Sequence, residues 1–230
     1  MATVSIGSGV ARMGPLTMLR DEWLIRSMMK RVGDLPESMF LPMLRLLAPD
    51  RDAVDAGWAQ VIGTRQRHRR WESPSKAWER HYGQFVRELE FTATGLRAEL
   101  GLEATTELIS DAVAARLNRW LRVMMPMFGS VKLVPDAIYS PVMDAGVAFA
   151  TFLVGPIHAA GEEPDGTLLY EIPECAMHTV AGTGSAQENS CLMGCKASCE
   201  KVFHAGGPMP LEFDPHLPGL SCTLRVRKAT

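Results

Sequence analysis

All five cysteines of this chain, Cys175, Cys191, Cys195, Cys199 and Cys222, fall in its last quarter, and the first 174 of its 230 residues contain none. An odd number without a recognisable secretory leader argues against a disulfide scaffold and for thiol or metal chemistry. Three of them recur every fourth residue. On an α-helix this spacing advances about 400° per step, so Cys191, Cys195 and Cys199 line one face with ~40° of drift. Adjacent members come close enough to share one iron or one cluster, whereas the outer two lie about 12 Å apart along a straight helix at ~1.5 Å per residue. All three cannot ligate one mononuclear ion unless the helix breaks, and Gly194 is the weak point. Cys175 or Cys222 would complete a site from neighbouring strands.

Thiolates suit iron, iron–sulfur clusters and zinc. Two other readings stay open: redox or disulfide roles, and inert packing, since free cysteine behaves as a small buried hydrophobe. The absence of C-x-x-C excludes zinc-ribbon and thioredoxin templates, and ferredoxin runs do not fit either. His178 and His204 lie close in sequence to Cys175 and Cys199 and join the five cysteines as candidate metal ligands. Glu188 and Glu200 bracket the Cys segment and, with His158, are the candidate acid/base groups, a solvated helix-end role being the alternative for the two carboxylates.

The remaining sequence has the means to bury a core, with 47% hydrophobic and 22% charged residues. Residues 1–135 read as helical: apolar spacing runs from Leu16 to Met29, a short helix covers Ser38 to Leu47, another Asp52 to Ile62, and longer ones Ser75 to Leu100 and the stretch after Thr105 or Thr106. From residue 136 to 230, glycines, prolines and short β-prone runs predict an α+β region with strands at Phe149–Ile157, Leu168–Ile172, Met209–Phe213 and Leu220–Val226. The last two flank a turn-rich connection suited to a hairpin. The expected fold is therefore α+β, a helical layer followed by a small antiparallel sheet packed with one Cys-bearing helix, Gln187–Phe203.

A net charge of -2 gives no general attraction for nucleic acid or an anionic membrane. The run Arg65, Arg67, His68, Arg69, Arg70 has Trp71 as its only close aromatic and reads as a solvated face or a patch for an acidic partner. The longest apolar stretch, Ala145 to Ile157, is shorter than the ~20 residues that span a bilayer, which leaves a cytoplasmic protein, at most in peripheral membrane contact. Arg12 and Arg20 without an acid before Asp21 faintly suggest the end of a transit peptide. Fourteen methionines offer adaptable packing for a bulky lipophilic ligand or simply for a core. Dinucleotide, P-loop, serine-hydrolase and zinc-protease signatures are lacking.

The order of elements from Phe152 to Val226 resembles the plant β-carotene isomerase family of strigolactone biosynthesis, the iron-containing DWARF27-like proteins. Phe152-Leu153-Val154-Gly155-Pro156 is similar to that family's W-L-V-G-P-C segment, and Ile172 to Cys175 to its strand ending in cysteine. Glu188 to Glu200 carries the three-cysteine helix, Gly207-Pro208-Met209-Pro210-Leu211 with Pro215 the next element, and Ser221-Cys222 the last. All five cysteines fall on family positions, while the family's cysteine after Gly-Pro is replaced by Ile157, followed by His158. Phe40 to Pro49 is loosely similar to a further P-x-L-x-x-I-R-x-L-x-P stretch. The resemblance implies an iron-dependent cis/trans isomerase acting on a carotenoid-type polyene, in the plastid if the source is a plant or an alga. Iron-dependent oxidation or rearrangement in a specialised-metabolite pathway, and a non-enzymatic iron–sulfur or metal module, are the alternative expectations.

Overall fold

A computed structural model of the chain describes residues 35–63, 74–121, 130, 133–207 and 209–228. The Leu16–Met29 segment, the Arg65–Arg70 run and the methionines Met124, Met125 and Met127 lie outside the described residues. Helix α1 (Leu35–Leu47) buries Phe40, Leu41 and Leu44 on one face. Asp50 caps α2 (Arg51–Gly63), its Oδ1 accepting the Ala53 N–H at 3.0 Å. Arg45 Nε donates to Asp55 Oδ1 at 2.7 Å and ties the two helices together.

Helix α3 (Pro74–Leu121) is the wall on which α1, α2 and the cysteine-rich helical segment lean. It changes direction at Gly101, whose φ of 79° and ψ of 175° suit a residue without Cβ. The helix resumes immediately, so it begins before Thr105 and Thr106, the residues after which it is expected: Thr106 Oγ1 donates back to the Leu102 carbonyl at 2.8 Å, and Thr105 is fully buried. Tyr82, Phe85, Leu89, Ala93 and Leu96 form the inward stripe, packed with α1 and with Met193 from the cysteine-rich segment.

Helix α4 (Asp136–Val154) corrects the strand expected over Phe149–Ile157. A continuous apolar run is compatible with a buried strand or a buried helix, and length decides for the helix here. Tyr139, Met143 and Val147, four residues apart, point into the sheet cluster. Gly155 at φ 97° and Pro156 end the helix, and the first strand starts only at His158.

The sheet contains β1 (His158–Glu162), β2 (Leu168–Ile172), β3 (Leu211–Pro215) and β4 (Cys222–Val226) in the order β1-β2-β4-β3, with every neighbouring pair antiparallel. In register, Tyr170 and Phe213 flank Leu224. Tyr170 Oη donates to Asp144 Oδ1 at 2.8 Å and locks β2 to α4.

Between β2 and β3 the chain forms α5 (Ala176–Ala181), α6 (Ser185–Glu188), a π-helical segment (Asn189–Ala197) and α7 (Ser198–Val202). The fold is thus α+β, with helices packed against a small antiparallel sheet. The single α-helix expected over Gln187–Phe203 is instead an α–π–α succession. Ser198 Oγ donates to the Met193 carbonyl five residues back, at 2.6 Å, along the wider π ladder. Glu90 of α3 accepts from Ser185 Oγ at 2.6 Å and from Asn189 Nδ2, pinning the start of this succession to the helical layer.

Gly155 generates a stability prediction. A Cβ there would lie 2.7 Å from the Glu174 carbonyl oxygen, against main chain that cannot yield like a side-chain tip. Gly155→Ala should lose at least the ~1–2 kcal/mol of a left-handed non-glycine backbone. The check is urea denaturation at constant m; an unchanged midpoint would show that this turn takes another path.

Candidate functional site

The thiols come from three structural settings around the end of β2. Cys175 is the residue before α5, with φ -72° and ψ 122°; its N–H donates to the Leu220 carbonyl at 2.7 Å. Cys222 opens β4 opposite Ile172 and lies in the same apolar cluster as Cys175. Cys191 and Cys195 lie in the π-helical segment and Cys199 in α7. A π-turn holds more than four residues, so positions four apart align more closely than the ~40° drift of an α-helix allows. The helix widens rather than breaks, with Gly194 inside the wide turn. A Cβ on Gly194 would stand 3.0 Å from Leu89 Cδ2 and 3.5 Å from Phe85 Cε1, so the glycine lets the cysteine segment press against α3.

All five cysteines are free; Cys175, Cys191 and Cys222 are buried and Cys195 and Cys199 half-buried. Burial pushes Cys175 up to about 11 and Cys222 up to about 12, and in both cases the nearby Cys195 adds to the rise. Cys191 is raised by burial and by Cys195, Cys222 and Cys175. Cys195 is raised first by its hydrogen bond with Cys199 and then by burial.

His178 is the histidine that joins the thiols. Helix α5 carries it into the interior, where Nε2 lies 3.1 Å from Cys191 Sγ in hydrogen-bond contact. Burial lowers its pKa, with the main chain of Leu220 and Gly219 opposing. A lowered imidazole beside a raised thiol is a neutral pair, unlike the thiolate–imidazolium pair of a cysteine nucleophile. His204 is exposed in the turn after α7, and His158 is half-buried at the start of β1 opposite Glu171; neither is brought to the thiols by a described contact.

The two candidate carboxylates differ. Glu188 is exposed at the end of α6. Glu200 is half-buried and Oε1 accepts from Lys196 Nζ at 2.8 Å and from the Phe213 N–H at 2.8 Å, while Lys196 Nζ also donates to the Phe213 carbonyl. Glu200 therefore holds β3 against the cysteine segment and raises Cys195, an effect Lys196 opposes. Tyr82, read from the sequence only as an apolar helix position, is buried, and burial raises its hydroxyl above the ordinary range, with Cys195, Cys175, Cys191 and Cys199 adding to the rise. Nothing in the sequence links a tyrosine at 82 to cysteines a hundred residues later.

Soft thiols with one neutral imidazole fit iron, an iron–sulfur cluster or zinc by donor type. As placed, no group of three or more His, Cys, Asp or Glu among the described residues is disposed to hold a metal ion. Among the described residues, too, no helix is long and apolar enough to cross a membrane. No protein-family model, curated protein or solved structure matches this chain.

The raised thiols set a pH window for the metal-free protein. The unfolded chain loses its thiol protons first, near 9.0, so their contribution is complete below that pH and is lost as pH rises through about 11 for Cys175 and about 12 for Cys222. The urea midpoint should fall across this alkaline range, and Cys175→Ala should flatten the fall. A profile equally steep in the variant would remove Cys175 from the cause.

Proposed function

We propose that this protein binds iron through its cysteine cluster and isomerises a cis/trans double bond in a polyene or similarly lipophilic substrate of carotenoid type. What supports the iron half is the donor set: Cys175 and Cys222 share one apolar cluster, Cys191 and Cys195 stand on the π-turn, His178 touches Cys191, and all five thiols are free. Resemblance in the order of motifs from Phe152 to Val226 supports the substrate class. Cys175, Cys191, Cys195, Cys199 and Cys222 are the proposed ligand pool, with His178 positioned to join it through Cys191.

Bound iron, mononuclear or in a cluster, would supply a reversible one-electron couple, and net isomerisation consumes no electrons. The chain's own residues exclude water and fix the donors: Ile157, Ile172 and Leu224 enclose Cys175 and Cys222, while Leu89 and Phe85 back the π-turn. Ile157 is fully buried in the same cluster as Cys175 and Cys222, where the similar family carries a further cysteine. That replacement favours, as second reading, iron-dependent oxidation or rearrangement of another lipophilic metabolite. Five free thiols suit a reducing compartment, the cytoplasm or, for a plant or algal chain, the plastid. No nucleic-acid partner is proposed, and a lipophilic substrate is consistent with peripheral contact at a membrane that supplies it.

Protein purified without oxygen should contain iron, with stoichiometric acid-labile sulfide if the centre is a cluster. Cys195→Ser should lose most of that iron while the α1–α3 layer keeps its helical circular dichroism. Incubation with all-trans β-carotene should yield a cis isomer with the unaltered protein and none with the variant. Iron-loaded protein that leaves β-carotene unchanged but converts a terpene or polyketide would select the second reading, and full iron content in Cys195→Ser would remove that residue from the ligands.

A further inference from the structure

The amide of Gln187, near the end of α6, is only half used by the fold. The residue is 1% exposed, and its Nε2 donates to the Gly219 carbonyl at 3.1 Å, in the turn between β3 and β4. A carbonyl can only accept, so this bond fixes which way round the amide lies and leaves Oε1 as an acceptor. Oε1 is fully buried and has no hydrogen-bond partner among the described residues. Buried polar atoms are nearly always paired, so an acceptor held in place without a donor marks a position for a donor from outside the chain. Two exposed leucines belong to the same corner. Leu220 follows Gly219 and is 43% exposed, while its carbonyl is taken by the Cys175 N–H at 2.7 Å. Leu192 is 38% exposed and stands five residues after Gln187, about one π-turn along the segment. Among the exposed large hydrophobic residues described, these two lie within two positions of a cysteine; Leu46, Leu100, Leu102, Leu133, Ile138 and Val142 do not.

We propose that this corner binds a lipophilic molecule through a hydroxyl at its end: the hydroxyl donates to Gln187 Oε1, and the hydrocarbon covers Leu192 and Leu220. This rests on the reading of a polyene-type substrate and narrows it, from a bare hydrocarbon to a chain that ends in a hydrogen-bond donor. Binding here requires no metal ion, because every group it uses belongs to the chain itself. Covering two exposed leucines supplies affinity without direction. The amide supplies the selectivity, since an apolar chain lacking the donor would leave Oε1 unpaired.

All-trans-retinol and its methyl ether are the probes, since they share one polyene and differ in a single donor. Titration of the protein as purified, followed by polyene fluorescence, should give retinol an affinity about tenfold above that of the ether. Gln187→Met should bring the two affinities together. A merely structural role for Gln187 would weaken both probes in proportion, so a preserved ratio in that variant overturns the assignment. Leu192→Gln combined with Leu220→Gln should weaken both probes about tenfold, whereas Leu102→Gln, on an exposed position of α3, should change neither. Equal affinity of the unaltered protein for the two probes overturns the hydroxyl contact, and full affinity in the double leucine variant overturns the location. Selective retinol binding by a protein that holds no iron and converts no polyene upholds the inference and overturns the proposed catalysis. A chain that binds neither probe overturns the inference together with the lipophilic-substrate half of the proposed function.

Discussion

The contact of the π-turn with α3 is the constraint on which the rest depends. Leu89 is fully buried and Phe85 nearly so, and Gly194 is the point at which the wide turn comes against them. A Cβ there would meet Leu89 Cδ2 at 3.0 Å, so a larger residue would require the leucine tip or the turn to give by a few tenths of an ångström. Met193, one residue before, completes the helical core from the same turn. The small residue thus lets the cysteine segment pack directly on the helical layer.

Collecting several thiols in an apolar interior has an electrostatic corollary. Each thiolate would repel the others and would be poorly solvated, so the metal-free cluster stays neutral, as the upward displacement of Cys175, Cys191, Cys195 and Cys222 records. A divalent ion inverts this balance, since a coordinated thiol gives up its proton. The same arrangement that makes the cysteines poor nucleophiles would, on the proposed reading, make them responsive to a cation. His178 follows the same logic, being neutral through burial and so free to accept or donate without bringing charge.

Much of this was legible in the chain. The division into a helical first half and an α+β remainder follows from apolar periodicity, and β2, β3 and β4 fall within about two residues of their expected positions. The strand expected over Phe149–Ile157 failed because an unbroken apolar run carries no period, so its helical continuation from Asp136 was invisible. The π-helix was equally hidden: the four-residue cysteine spacing fits α and π geometry alike, and what fixes the wider turn is long-range packing on Leu89 and Phe85 together with the Ser198–Met193 bond. For the site, the cysteines announced themselves by type and spacing. The distinction between His178, buried against Cys191, and His204, exposed in a turn, depends on which way α5 and α7 face.

The Lys196–Glu200 pair has an effect beyond the site. In the strand order β1-β2-β4-β3, strand β3 has, among the described residues, a neighbouring strand on one side only. The N–H and carbonyl of Phe213 point away from β4 and are taken up by Glu200 and Lys196. Side chains of the cysteine segment thereby occupy the position that a fifth strand would fill. At the opposite edge, β1 is short, its register shifts between Ala159 and Gly161, and it ends in Glu162. A bulged, charged edge on one side and a side-chain clamp on the other leave no straight row of main-chain groups for a second molecule to copy. Among the described residues the sheet stops at four strands, and both of its edges are of the kind that discourages growth into intermolecular β-structure.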